Sequence, residues 1–112
     1  MIRGEEAEAR ACAFLERKGL EIIERNYRCR FGEIDIVALN GATVVFVEVR
    51  ARASDAYGGA AGSITPAKRK RLLAAARHYL ARQRKHCACR FDVVLLSGPS
   101  AEFVWITDAF GE

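Results

Sequence analysis

The stretch GEIDIVALNGATVVFVEVR, residues 32–50, constrains the fold more than any other part of the 112-residue chain. Two runs of Val, Ile and Phe flank Asn40-Gly41, the strongest short-range signal for a β-hairpin. A two-residue loop at Asn40-Gly41 sets Leu39 opposite Ala42, Asp35 opposite Phe46 and Glu33 opposite Glu48. Paired residues share a face, and so do residues two apart. One face then carries Ile34, Ile36, Ala38, Thr43, Val45, Val47 and Val49, an apolar set suited to a core. The other carries Glu33, Asp35, Glu48 and Arg50 toward the open end of the hairpin.

Strand interiors are poor places for acids. In this register Asp35 and Glu48 are diagonal neighbours, about 7–8 Å apart at the backbone, so their carboxylates can converge on one ion. Oxygen donors from two acids, with waters completing an octahedron, describe a Mg²⁺ or Mn²⁺ site. Arg50 points to the same place and could hold a phosphate there. The same residues also suit a solvated sheet face whose acids are balanced by Arg28, Arg30 and Arg50.

The surrounding sequence supplies the rest of a layered fold. Ala7, Ala11, Phe14, Leu15 and Lys18 fall at helical spacing over residues 5–18, with Gly19 as the stop. LEIIERNYR, residues 20–28, reads as a strand. Residues 51–65, rich in Gly, Ala and Ser, read as a loop. Thr65 and Pro66 then open a second helix lined by Leu72, Ala76, Tyr79 and Leu80. RFDVVLL and EFVWIT, joined by Ser97-Gly98-Pro99-Ser100, predict two more strands, in which Phe103 and Trp105 alternate as core or interface residues. The order is α-β-β-β-α-β-β: an α/β fold in one domain, residues 1–112, with a central mixed sheet flanked by helices.

Charge and cysteines narrow the function classes. Lys plus Arg exceed Asp plus Glu by 18 to 14, a net +4 that suits a polyanionic partner without requiring one. The chain opens Met-Ile-Arg-Gly-Glu-Glu with no apolar signal region, and no stretch is long enough to span a bilayer, so a cytoplasmic protein off the membrane is expected. Cys12, Cys29, Cys87 and Cys89 are too scattered for a secreted disulfide scaffold. His86-Cys87-Ala88-Cys89 lacks both the usual zinc spacing and a second ligand pair, which favours buried or incidental thiols.

Gly32-Glu33-Ile34-Asp35, followed by Phe46-Val47-Glu48-Val49-Arg50, resembles the YraN family, itself similar to archaeal Holliday junction resolvases and the restriction-endonuclease-like superfamily. The likeness extends over nearly the whole chain, through Glu8-x-x-Ala11, Leu15-x-x-x-Gly19, Asn26, Tyr57-Gly58-Gly59-Ala60, Lys68, Arg90-Phe91-Asp92-Val93-Val94 and Asp108-Ala109-Phe110. It implies a restriction-endonuclease-like core and a nuclease-like site of the form Asp…(Asp/Glu)-x-Lys. Asp35 takes the first position, Glu48 the second, and Arg50 the place usually held by lysine. By the same resemblance Asp35, Glu48 and the Val49 carbonyl would bind the metal, and Glu8 would reach in as an outer carboxylate. Glu8 equally suits a solvated acid at a helix N-terminus.

Arginine at position 50 departs from the family pattern. It keeps a positive charge but cannot serve as a base toward the attacking water. Lys68 is the candidate to supply the missing ammonium. Lys68, Arg69 and Arg71 cluster where the second helix begins, and Arg77, Arg82, Arg84 and Lys85 follow; they suit a phosphate backbone or a solvated helix surface. Tyr57 could stack on an unpaired base.

Three readings remain open on the sequence. The first is a Mg²⁺-dependent endonuclease acting on DNA rather than RNA, branched DNA included. The second is a nucleic-acid-binding module on a nuclease fold, and the third a protein-interaction domain with a vestigial acidic pocket. Symmetric cutting of a two-fold junction would call for a homodimer.

Overall fold

A computed structural model describes residues 4–52, 64–83, 87–97 and 102–111. Tyr57, Arg84, Lys85, His86 and most of the two expected loops lie outside these residues. The elements run α1 (Gly4–Arg17), β1 (Glu21–Cys29), β2 (Gly32–Asn40), β3 (Thr43–Arg52), α2 (Pro66–Gln83), β4 (Cys89–Ser97) and β5 (Glu102–Phe110), in the expected order.

Local chemistry sets both ends of the connection from α1 to β1 and the start of α2. Gly19, at φ 95°, turns α1 out of its helix. The Gly19 and Leu20 amides then donate to Glu16 and Leu15 carbonyls at 3.0 and 3.1 Å, the paired bonds of a Schellman cap. Leu15 and Leu20 are both buried there, the apolar contact that accompanies such caps. At α2, the Thr65 hydroxyl accepts the Lys68 amide at 3.1 Å, and Pro66 occupies the first helical position, where no amide is needed.

The five strands lie in the order β1-β2-β3-β4-β5. β1 to β3 form an antiparallel meander, β3 and β4 are parallel, and β4 and β5 are antiparallel. A parallel pair needs a crossover between its strands, and here the crossover contains α2. The two helices cover opposite faces. α1 packs Ala11, Cys12 and Leu15 onto Ile36, Ala38, Val45, Val47 and Val94, with Phe14, Phe103 and Trp105 at the margin. α2 packs Leu72, Ala75, Ala76 and Tyr79 onto Val37, Val44, Phe46 and Phe91.

Two details of the hairpin differ from the expected arrangement. Asn40 pairs with Thr43, so the loop residues are Gly41 and Ala42, and every β2–β3 pair lies two positions from the expected register. Gly41 alone takes a positive φ, 63°, as a Gly-X loop with glycine first requires. Val37, not Asp35, therefore faces Phe46. Glu33 faces Arg28 of β1 rather than Glu48. The hairpin also has no solvated face along its closed half, because α2 buries Val37, Val44 and Phe46 there.

The second detail is a change of face. Ile36 belongs to the α1 side, yet Ile34 belongs to the α2 side, so β2 loses its alternation at Asp35. β1 does the same at its neighbouring position. Arg25 pairs with Ile36 and Tyr27 with Ile34, and Asn26 between them has φ 53°. Asn tolerates this left-handed conformation better than most residues.

Candidate functional site

The change of face coincides with a fork in the sheet. The β2–β3 ladder ends at Ile36↔Val47, while β2 stays with β1 as far as Cys29↔Gly32 and β3 stays with β4 as far as Arg52↔Ser97. Where the strands part, the Val49 amide has no β2 carbonyl opposite. The Asp35 carboxylate accepts it instead, at 2.8 Å. The ladder stops one step short of Asp35 and Glu48, and the two acids line one cleft, where the Glu48 charge acts on the Asp35 carboxyl. Like charges in that relation repel.

Glu48 is buried, with 7% of its surface exposed, and meets a cation from the crossover helix. The Lys68 ammonium lies 2.7 Å from Glu48 Oε1. The Thr65 cap places Lys68 in the first turn of α2, from which its side chain reaches Glu48 on β3. Arg71, one turn on, joins Lys68, Leu72, Gly32, Glu33, Asp35 and Glu48 in lining a cleft of about 250 Å³. Gly32, at φ 154°, takes a conformation that side chains disfavour. Arg71 lies against this glycine.

The charges in the cleft are unevenly matched. Burial, then the Glu48 charge, raises the Asp35 carboxyl from the ordinary 3.8 to about 7; Glu8 and Glu33 add to the effect and the Val49 amide opposes it. Glu8 arrives from α1, on the opposite face, and its own pKa is raised by burial and by Glu33 and Glu48, against Arg25 and a hydrogen bond from Asn26. Its Oε1 is buried and has no hydrogen-bond partner. The fork is where acids from both faces of the sheet sense one another.

This is a donor set for a hard cation: oxygen only, excess negative charge, and one buried oxygen without a donor. Among the described residues no group of three His, Cys, Asp or Glu side chains is gathered closely enough to enclose a metal ion. Asp35 and Glu48 fit a site in which water supplies much of the coordination.

The expected site residues separate into two groups. Glu8, Asp35, Glu48, Lys68 and Arg71 are brought together around the fork. Arg50 follows Glu48 by two residues but is not among the residues lining the cleft. Arg69 turns the other way, its guanidinium 5.9 Å from the ring centroid of Phe110 on β5. The contact between Lys68 and Glu48 was only half legible in sequence: Thr65-Pro66 located the first turn of α2, but not the strand beneath it. Cys12 is buried, Cys29 and Cys87 are half-buried, Cys89 is exposed, and none of the four is in a disulfide.

Residues 7–96 match the model of a family described as "Uncharacterised protein family UPF0102". A UPF0102 protein of Nitrosomonas eutropha is 54% identical over 110 residues, covering 98% of this chain and 94% of the relative. One from Nitrosomonas europaea is 55% identical over 111 residues, with the same coverage of 98% and 94%. A third, from Cupriavidus taiwanensis, is 56% identical over 110 residues, 96% of this chain and 82% of the relative.

Proposed function

The chain belongs to the UPF0102 family, and we propose that it is a metal-dependent nuclease that hydrolyses phosphodiester bonds in nucleic acid, DNA in the first place. One observation carries this reading. Asp35 sits in a forked sheet where burial first, and then the charges of Glu48, Glu8 and Glu33, raise its carboxyl to about 7, and the cleft that it lines also presents Lys68 and Arg71. Acids crowded to that degree favour a cation, and the two basic side chains beside them suit a phosphate.

Asp35 and Glu48 would hold Mg²⁺ or Mn²⁺. When bound, such an ion neutralises phosphate charge and lowers the pKa of water. The protein's own groups do the remainder. The Val49 amide fixes the Asp35 carboxylate in place. Asp35 gives up its proton as it takes on a cation, so affinity rises with pH through about 7. Lys68 balances Glu48 before substrate arrives. Were a cation to meet that charge, the Lys68 ammonium would be free to donate hydrogen bonds to the scissile phosphate. Arg71 can grip a phosphate with two parallel donors.

A cleavage panel of linear, flapped and four-way DNA, with Mg²⁺, Mn²⁺ or chelator, tests the proposal. Wild type should cut at least one substrate only with metal. Asp35→Asn and Lys68→Ala should each lower the rate by about a hundredfold or more, on the order expected for groups acting at the reacting phosphate. No metal-dependent cutting, or a wild-type rate in Asp35→Asn, would overturn it. A second reading, a binding module without cleavage, draws on the 2.7 Å ion pair that already satisfies one Glu48 oxygen. It predicts nucleic-acid binding in chelator and no cutting with any metal. Should a four-way junction be cut symmetrically, a second copy of the chain would supply the second site.

A further inference from the structure

Just before Gly32, the turn from β1 to β2 consists of Arg30 and Phe31, closed by the pair Cys29↔Gly32. Neither residue has a positive φ; the unusual conformation falls on Gly32. Two bulky side chains can therefore occupy a two-residue turn beside the cleft.

Phe31 is 37% exposed, one of three large apolar side chains that are exposed among the described residues. The other two, Ile23 and Val104, have no aromatic face. Phe31 is also braced. The His78 ring meets it at a centroid distance of 6.0 Å and 62°, and a His78 ring nitrogen is hydrogen-bonded to the hydroxyl of buried Tyr27. The Arg30 guanidinium lies 4.8 Å from the Phe31 centroid. Arg82, fully exposed on α2, sits 5.6 Å from the Tyr27 ring. An isolated surface phenylalanine needs no explanation. A braced one, with a guanidinium beside it and one residue from a cleft that suits phosphate, is built like a site for a nucleobase.

We propose that Phe31, with Arg30, forms a stacking platform for one unpaired base next to the phosphate in the cleft, so the substrate class is single-stranded or branched nucleic acid. This rests on the nuclease reading above. Bases within a duplex are stacked on one another and present only their edges, so the interior of a duplex cannot use the ring. The duplex control is closed at its ends by hairpin loops, which leave no terminal stacking face open. A flap or junction brings an unpaired base and a scissile phosphate together.

The test is binding in chelator, read by fluorescence anisotropy of labelled DNA, so that it does not depend on cleavage. Phe31→Ala should weaken binding to flapped and single-stranded DNA about tenfold while leaving closed-duplex affinity unchanged. Phe31→Trp should retain the preference, and its added indole fluorescence should be quenched by single-stranded but not duplex DNA. Equal affinities of wild type and Phe31→Ala for flaps, or an equal loss on duplex and flap, would overturn the platform. Wild type that binds flaps through Phe31 yet cuts nothing would remove the nuclease reading and leave the platform standing. Wild type that binds no nucleic acid would remove both.

Discussion

Asp35 on β2 and Asp92 on β4 occupy equivalent faults in the sheet and lead opposite lives. Asp35 sits one residue beyond the end of the β2–β3 ladder and Asp92 at a register shift between β4 and β5, and each lies across from a non-glycine residue with positive φ: Asn26 at 53° and Asp108 at 51°. Each accepts a backbone amide from a neighbouring strand, Val49 at 2.8 Å and Asp108 at 2.9 Å. Beyond that amide they diverge. Asp92, only 1% exposed, also takes Arg90 through Nε and Nη2 and Trp105 through Nε1 at 2.9 Å. Asp35 has acids for neighbours instead. A buried carboxylate that is fully supplied with donors fastens two strands. One supplied with a single donor and crowded by other acids is poised to recruit something positive. The donor census around each carboxylate, more than its burial, separates fastening from function.

The contrast breaks most sharply on removing the side chains. Asp92→Ala leaves the part-buried Arg90 guanidinium and two N–H donors without their acceptor, and should cost about 2–4 kcal/mol. Urea denaturation reads this as a lower midpoint; a loss under 1 kcal/mol would mean that Asp92 fastens nothing. Asp35→Asn should move the other way. Its folded-state pKa of about 7 exceeds the ordinary 3.8, so the folded chain keeps a proton that the unfolded chain releases. The contribution of this group to wild-type stability is therefore full at pH 4 and below and is lost as pH rises through 7, by on the order of 1–2 kcal/mol. Asp35→Asn should flatten that decline and be the more stable protein at pH 8 without metal.

Smaller effects refine the same contrast. Trp105→Phe withdraws one of the donors to Asp92 and should cost about 1 kcal/mol by the same denaturation. Mn²⁺ titration calorimetry should find affinity reduced in Asp35→Asn and Glu48→Gln and unchanged in Trp105→Phe, with about half a proton released per ion at pH 7 in wild type, approaching one at pH 6. Least affected should be Arg50→Lys. Because Arg50 does not line the cleft, cleavage by this variant should stay within about threefold of wild type, a margin under 1 kcal/mol in barrier terms. A tenfold fall would restore Arg50 to the site.

Element order was legible because its signals are local: helical spacing in α1, Thr65-Pro66 at α2, β-rich runs bounded by turn residues. What failed depended on finer or longer-range terms. Asn40-Gly41 suits one kind of tight loop and Gly41-Ala42 another, and the second prevails, shifting the pairs by two. Strict alternation put Ile34 with Ile36, whereas the paired irregularity at Asn26 and Asp35 separates them. An asparagine inside a strand-like run was the available clue, since Asn is enriched at positive φ. Asp35 and Glu48 were readable as a pair from strand parity, which survives a two-residue shift. Lys68 and Glu8 were not placeable on spacing, because their neighbours come from crossings of chain that no local pattern encodes. Asp92 passed as one letter in a strand motif, though Arg90 two residues before it marks a same-face partner.

The parallel pairing of β3 with β4 also orders events in time. Meander contacts such as Asn40↔Thr43 close over short separations, whereas Val44↔Cys89 must wait until the whole crossover has been gathered in. Long loops close late and slowly. Glu48 lies on the early meander and Lys68 on the late crossover, so their contact forms only when the second half of the chain docks. Nascent chain that has emerged only as far as β3 thus carries its acids without their lysine. Pulse-labelled amide exchange during refolding should report this as later protection at the β3–β4 pairing than in the meander.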